Sequence, residues 1–217
     1  MSAVYGAVLT LSLILLIFSA AVSVPLLWRG FYYIQINALH LTEITPWSYD
    51  EIRCAFDQMM DFCMKGAEFG TGVLKWSEDG MQHFADCRVL FMLDIRVLIM
   101  SAVLSLALIV YAKRKGMRLS SGDGSKAPGP FFFAGAIPMA VFAVICIMVV
   151  FVDFDHAFVT FHHMFFPGKD NWLFDPYADE IINVLPEVFF MNCAILIVVL
   201  IFIFSIISIV IDRKKLL

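Results

Sequence analysis

The chain has 217 residues, of which 61% are apolar and only 16% charged, and its formal net charge is −4. Soluble domains are nearer half apolar and a quarter charged, so this composition argues against an ordinary soluble domain and indicates a membrane protein. The sequence contains no basic patch interleaved with aromatic residues, which argues against a nucleic-acid partner.

Four apolar runs approach or exceed the length that a helix needs to cross a bilayer. They are residues 4–27, 90–112, 131–152 and 188–211. Unpaired backbone groups are costly in hydrocarbon, so each run is predicted to be a transmembrane helix. The first run lacks a basic segment before it and has only a loose cleavage site, which favours a retained helix over a cleaved signal. The predicted fold class is an all-α membrane protein, with four transmembrane helices in a single domain over residues 1–217.

Basic residues are concentrated in two short segments, and these predict the orientation. Eight of the 15 lysines and arginines lie in residues 113–130 or directly after the fourth apolar run. The positive-inside rule places both segments, and with them both termini, in the cytoplasm. Residues 28–89 and 153–187 are then expected to face outward from the cell (cytoplasmic) membrane, as an extracytoplasmic cap of short amphipathic helices and loops.

The first outward segment has the pattern of an amphipathic helix. Ser48 and Glu51 have the spacing of a capping box, and apolar residues then recur at helical spacing as far as Cys63. Such a helix either lies on the bilayer surface or packs on the outer end of the helix bundle. Glycines from Gly66 onward end it, and a further helix is predicted to begin near Ser77 and to run without a break into the second apolar run.

Histidines and carboxylates are concentrated beside two of the apolar runs. His83 and Asp86 precede the second run and are three residues apart, so a helix makes them neighbours, and the carboxylate can orient the imidazole. A second group follows the third run and comprises Asp155, His156, His162 and His163. In a four-helix bundle both places lie at the same depth near the outer interface, which allows the two groups to meet.

Motifs of several common enzyme classes are missing from the sequence. It has no GxSxG elbow, no HExxH, no P-loop and no dinucleotide-binding glycine motif. Histidine acid–base chemistry therefore competes with two other interpretations. One is a haem- or metal-binding four-helix membrane protein with His83 and a later histidine as ligands. The other is a non-catalytic membrane partner protein that docks through its aromatic segment.

The outward cysteines leave their pairing open. Cys54, Cys63 and Cys87 allow three different disulfides, and the sequence selects none of them. Cys87 is four residues from His83, which also permits a nucleophilic cysteine–histidine pair. A buried, unreactive thiol is the more usual state of such a residue.

Three segments together resemble the bacterial lipoprotein intramolecular transacylase family, Lit. They are residues 83–91 (HFADCRVLF), 161–176 (FHHMFFPGKDNWLFDP) and 185–190 (LPEVFF). The family pattern has valine and lysine where Cys87 and Arg88 stand. The resemblance implies an acyltransferase at the outer face of the membrane that moves the sn-2 acyl chain of a diacylglyceryl lipoprotein to the amine of its own N-terminal cysteine. The product is an N-acyl S-monoacylglyceryl lipoprotein, the partners are lipoproteins and membrane lipids, and no cofactor is required.

The same resemblance implies roles for particular residues. His83 and His162 are the expected catalytic acid and base, and Asp86 is expected to orient His83. His163, His156 and Asp155 are expected supporting residues. Phe161, Phe165 and Trp172 are expected to form a wall for the acyl chain.

Overall fold

The computed structural model describes residues 3–117, 119, 128–149 and 154–214. Over these residues the chain is helical and has no strand, which confirms the all-α prediction. The α-helices are α1 (Ala3–Leu27), α2 (Gly30–Ala38), α3 (Leu41–Ile44), α4 (Tyr49–Lys65), α5 (Glu78–Arg114), α6 (Pro130–Val149), α7 (Phe154–Phe165) and α8 (Glu187–Arg213), and a 3-10 helix covers Glu180–Asn183. Residues 150–152 of the third predicted span, and 118 and 120–127 of the predicted cytoplasmic loop, lie outside the described residues.

Three of these helices are long and apolar enough to cross a membrane. They are α1, α5 and α8, with 25, 37 and 27 residues. The third predicted span corresponds to α6, whose apolar part is described only over Pro130–Cys146. Four crossings therefore stay a prediction, as does the single domain.

The predicted amphipathic helix is confirmed as α4. Ser48 caps it through a complete capping box, with the Glu51 carboxylate accepting from the Ser48 backbone N–H at 2.8 Å. Gly66 ends the helix in the left-handed conformation, with φ of 72°, which suits a residue without a Cβ. The apolar side of α4 is buried, including Ile52 and Cys63, as its periodicity predicts.

Helix α5 confirms the prediction of one unbroken helix that begins after Ser77. The Ser77 hydroxyl accepts from the Gly80 backbone N–H at 3.0 Å, which caps the first turn. The buried Asp179 carboxylate accepts from the Ser77 backbone N–H at 2.8 Å and from its hydroxyl at 2.7 Å. The start of the helix that carries His83 is therefore held by a long-range contact as well as by its own cap.

The chain divides into two compact units. The first unit consists of the described residues within 1–24, 94–151 and 195–217, and the second of those within 25–93 and 152–194. In the first unit, helices pack through small and hydroxyl side chains, as is common for helices in membranes. The Ser12 hydroxyl lies 2.8 Å from that of Ser105, and Ser23 donates to the Asp94 carboxylate at 2.7 Å.

The second unit has an aromatic core. Tyr32 stacks on Phe56 with ring centroids 3.9 Å apart, and Phe189 meets Tyr32 edge-on at 5.2 Å. The buried Tyr32 hydroxyl donates to the Val184 carbonyl at 2.7 Å, which satisfies its polar end. This core supports α4, the beginning of α5 and the segment that follows α7.

Candidate active site

The structure brings together His83 of α5 and His162 of α7, both within the second unit. Their ring centroids are 5.7 Å apart and their planes differ by 33°. Both side chains are buried, with exposed fractions of 6% and 7%. The apolar run of α5 begins only at Leu90, so His83 lies in the polar first part of that helix. Two histidines that are 79 positions apart in the chain thus form one pair.

A backbone contact determines the tautomer of His162. Its Nδ1 lies 2.8 Å from the carbonyl oxygen of Phe158, one turn earlier in α7. A carbonyl can only accept, so the ring N–H is on Nδ1 and donates to it. In the neutral ring, Nε2 then carries the lone pair and is the atom that can accept a proton.

Aromatic rings surround both imidazoles. Trp172 stacks on His162 with centroids 4.6 Å apart, while Phe166 meets His83 edge-on at 4.9 Å and Phe174 does so at 5.4 Å. These rings replace water around the pair, and a buried imidazole resists taking a charge.

Burial accordingly keeps both imidazoles neutral near pH 7. Burial and the nearby His162 lower the pKa of His83 from 6.5 to about 4, although the negative charge of Asp86 partly opposes this. Burial also lowers the pKa of His162, against the hydrogen bond to Phe158 that raises it. Each neutral imidazole has one lone pair that can accept a proton and one N–H that can donate a hydrogen bond.

Asp86 ties the segment after α7 to helix α5. Its carboxylate accepts from Lys169 Nζ and, at 3.1 Å, from Asn171 Nδ2. Burial raises the pKa of Asp86, but these two hydrogen bonds outweigh burial, so the pKa lies below its usual value. The indole of Trp172 donates to the Lys169 carbonyl at 2.9 Å in the same segment. Asp86 thus positions the ring that stacks on His162 and also supplies negative charge near His83.

Two polar neighbours of His83 are not among the expected site residues, although the four-residue spacing had already indicated that Cys87 could contact His83. Cys87 Sγ lies 3.4 Å from His83 Nε2, one helical turn away. Asn171 is close enough to raise the pKa of His83, yet neither its Oδ1 nor His83 Nδ1 has a hydrogen bond of normal geometry within the described part of the chain. Lys169 and Asn171 lie in the 161–176 segment that carries the family resemblance, but no local sequence pattern connects them with Asp86, which is more than 80 positions away.

The remaining predicted residues are less buried. His163 is exposed and lies edge-on to Trp172 at 5.5 Å. His156 and Asp155 are exposed in the first half of α7. Phe161 and Phe165 have exposed fractions of 47% and 46%, and their rings are 4.6 Å apart. In the described ranges, no group of three or more histidine, cysteine or carboxylate side chains is arranged to hold a metal ion.

The sequence matches a known family over most of its length. Residues 7–190 match the family model described as lipoprotein intramolecular transacylase Lit. The chain is therefore an integral membrane acyltransferase of the kind that modifies lipoproteins. It belongs to the Lit family. Among proteins with curated functions, none matches this chain.

Solved structures of one relative have the same fold. The membrane-integral lipoprotein intramolecular transacylase Lit from Bacillus cereus is 23% identical, with 98% of this chain and 94% of that chain covered and a TM-score of 0.85. Two variants of that enzyme, with a histidine replaced by arginine or by alanine, are each 22% identical, with a TM-score of 0.80. Both matches cover 98% of this chain, and they cover 91% of the arginine variant and 92% of the alanine variant.

Proposed function

We propose that this enzyme transfers the sn-2 acyl chain of a diacylglyceryl lipoprotein to the amine of the same lipoprotein's N-terminal cysteine. The amine nitrogen bonds to the acyl carbonyl carbon, the ester bond to glycerol breaks, and a proton passes from nitrogen to the glycerol oxygen. The products are the N-acyl group and the S-monoacylglyceryl cysteine on one molecule. Because donor and acceptor belong to one substrate, correct positioning supplies much of the rate enhancement and no enzyme nucleophile is needed.

The observation that carries this proposal is the pair of buried, neutral imidazoles 5.7 Å apart inside an aromatic enclosure. The free amine has an ordinary pKa of about 8 and must lose a proton as it attacks the ester. His162 Nε2 carries a lone pair and is the base in this proposal. The His162 imidazolium so formed then protonates the departing glycerol oxygen, while the neutral His83 ring donates a hydrogen bond from its N–H to the oxygen that develops negative charge. Imidazole suits both steps because its ordinary pKa lies near neutral pH.

The residues around the pair have supporting roles in the proposal. Asp86 compensates the positive charge that develops on the imidazoles and positions the segment with Trp172. Phe161 and Phe165, exposed beside His162, form the wall for the acyl chain together with Trp172. His163, His156 and Asp155 lie on the exposed side of α7, where the lipoprotein's polar N-terminal residues approach.

The proposed topology has four crossings, with α6 as the third. Residues 28–89 and 153–187 face outward, both termini are cytoplasmic, and the enzyme lies in the cell membrane as a single domain. The lysines and arginines around residues 113–130 and after α8 support this orientation. It brings the histidine pair to the outer face of the membrane, where lipoproteins carry their diacylglyceryl group.

The test uses the full-length enzyme in detergent micelles with a synthetic diacylglyceryl lipopeptide. Product is measured by mass spectrometry as a shift of one acyl chain from glycerol to nitrogen. We expect His83→Asn and His162→Asn each to slow transfer by about 10²- to 10⁴-fold, the usual contribution of a general base or of a hydrogen-bond donor to developing charge. His40→Asn is the matched control, because His40 is exposed, is outside the pair and has a positive φ that asparagine tolerates. Full activity in either variant of the pair would refute the role of that histidine.

A further inference from the structure

Residues 167–175 form a loop that covers one side of the histidine pair. The loop follows helix α7, and most of its residues are exposed, whereas Trp172 is its one buried member. The Trp172 ring is also the ring that stacks on His162, with centroids 4.6 Å apart. The loop therefore turns a single large aromatic side chain inward, onto the proposed base, and presents its other residues outward.

The loop has hydrogen bonds of its own. The Leu173 backbone N–H donates to the Asp170 carbonyl at 3.0 Å, and the Trp172 indole donates to the Lys169 carbonyl at 2.9 Å. Near its first turn, Gly168 has a φ of 72°, and in the described part of the chain no atom lies within 4 Å of the place that a Cβ would take. A loop with internal bonds and with open space at its first turn can move as one body.

One carboxylate connects the loop to helix α5. Asp86 accepts from Lys169 Nζ and, at 3.1 Å, from Asn171 Nδ2, so both hydrogen bonds end on the same group. The Lys169 side chain is 43% exposed and that of Asp86 is 15% exposed. Water therefore reaches the ion pair, and partly exposed ion pairs are weak enough to break and re-form readily.

The closed loop leaves little access to the two rings. His83 and His162 are both buried, yet the substrate amine has to come within hydrogen-bonding distance of His162 Nε2. Helices α5 and α7, which carry the two histidines, are fixed by the regular backbone hydrogen bonds of an α-helix. The loop that lies across the pair is therefore the element that can move aside.

We propose that residues 167–175 are a lid over the histidine pair, which the Asp86 carboxylate holds closed and which opens to admit the ester and the amine of the lipoprotein. This inference rests on the proposed function and deepens it, because it states how a lipid-linked substrate reaches a buried site. When the lid closes again, Trp172 returns to the site and water that would hydrolyse the ester is excluded.

The first measurement needs no turnover. Full-length enzyme in detergent micelles is treated with diethyl pyrocarbonate, which acylates accessible neutral imidazoles, and each histidine is followed by mass spectrometry. In the wild type, His162 should react more slowly than the exposed His40. Lys169→Met removes one of the two hydrogen bonds to Asp86, so His162 should react about 2- to 10-fold faster relative to His40.

Two further variants make this measurement specific. Lys169→Arg keeps the ion pair with Asp86 and should react as the wild type does. Lys75→Met is the matched control, because it removes an ion pair with Glu180 that lies outside the lid, and it should leave the relative rates unchanged. If wild-type His162 reacts as fast as His40, the site is already open, and if Lys169→Met does not speed the reaction of His162, Asp86 does not hold the lid. Either result would overturn the proposal.

The second measurement follows the lid while substrate binds. The enzyme is produced with fluorotryptophan and studied by fluorine NMR, and Trp172→Phe identifies the Trp172 signal among the four tryptophans. A dialkylglyceryl lipopeptide, whose ether bonds cannot be transferred, should shift the Trp172 signal at saturation. The signal of Trp47, which packs against the core of the second unit, should not move.

An unchanged Trp172 signal at saturation, with binding measured by calorimetry, would show that substrate binds without the lid and would overturn the proposal. If the wild type neither binds this analogue nor makes product from the diacylglyceryl lipopeptide, the proposed function fails. The modification rates of His162 then decide on their own whether residues 167–175 open and close.

Discussion

The two units of this protein differ in how they use many of their buried polar groups, although each contains buried polar atoms without a hydrogen bond in the described structure, such as Ser205 Oγ in the first unit. In the first unit, serine hydroxyls such as Ser12 and Ser208 donate to main-chain carbonyls or pair with other hydroxyls, which joins helices. In the second unit, two of the buried polar atoms without a hydrogen bond in the described structure are His83 Nδ1 and Asn171 Oδ1, beside one imidazole. An unsatisfied buried polar atom is costly, so under the proposed function we expect a bound substrate to form hydrogen bonds with these two atoms.

The largest expected effect concerns the neutral state of His83. Its pKa in the folded protein is about 4, against about 6.5 for an ordinary histidine. Between pH 6.5 and about 4 the unfolded chain binds a proton at this histidine and the folded chain does not. The free energy of unfolding is therefore at its full value above pH 6.5 and decreases as the pH falls to about 4. This loss is about 3 kcal/mol, at about 1.4 kcal/mol per pKa unit. Thermal unfolding between pH 7 and 4.5 should show the wild type losing Tm relative to His83→Asn, and parallel curves would contradict the prediction.

The next effect concerns the Asp86 contacts of the second unit. Asp86→Ala removes two charge-assisted hydrogen bonds to the segment that carries Trp172, so we expect about 10- to 100-fold slower transfer. Trypsin should also cleave faster after Lys169, because its side chain is released. Asp170→Asn is the control in the same segment, since the Asp170 backbone, not its side chain, accepts from Leu173. If Asp86→Ala keeps the wild-type transfer rate and the wild-type rate of trypsin cleavage, the segment after α7 is held by its aromatic side chains alone.

Each unit has a glycine at a position where a side chain would clash with a neighbour. A Cβ at Gly135 would lie 2.3 Å from the Ser205 carbonyl oxygen, and because the backbone there cannot yield, Gly135→Ala should cost about 1–3 kcal/mol of stability. A Cβ at Gly80 would lie 2.0 Å from the Asp179 carboxylate, which can rotate but would then release the start of α5. We expect Gly135→Ala to lower Tm with unchanged activity per folded enzyme, and Gly80→Ala to lower activity. The reverse pattern would contradict the division of roles between the units.

The smallest effect belongs to the serine contacts of the first unit. Ser12 lies 2.8 Å from the Ser105 hydroxyl and donates to the Ser101 carbonyl at 3.1 Å. Hydrogen bonds between membrane helices contribute about 0.6 kcal/mol on average, so Ser12→Ala should change Tm only slightly and leave transfer unaffected. A tenfold fall in activity would show that the first unit takes part in the chemistry.

Much of the fold was predictable because its signals are local. Helix α4 is specified by the Ser48–Glu51 capping box, an apolar period and a terminal Gly66, all within one stretch of chain. The apolar lengths of α1, α5 and α8 likewise follow from composition. The apolar run over residues 131–152 has a similar length, but the structure describes only part of it, so the third crossing stays a prediction.

The candidate site was predictable only in part. Titratable groups beside apolar runs are unusual, and this marked His83 and Asp86 and a second group of Asp155, His156, His162 and His163. Only the family resemblance narrowed the second group to His162. The spacing of Asp86 from His83 predicted that the carboxylate orients the imidazole. Its observed hydrogen-bond partners are instead Lys169 and Asn171, more than 80 positions away. Spacing along a helix shows which side chains are neighbours, but a stronger distant donor can take the hydrogen bond.

By itself, the sequence determined the helical class, the helix boundaries that depend on caps and periodicity, and the residue types available for acid–base chemistry. Only the tertiary structure decided that His83 and His162 form one pair, that Trp172 covers it and that Cys87 contacts the ring. The reason is physical: capping and periodicity act between residues a few positions apart. Burial, pKa and tautomer depend on groups that approach only when the chain has folded.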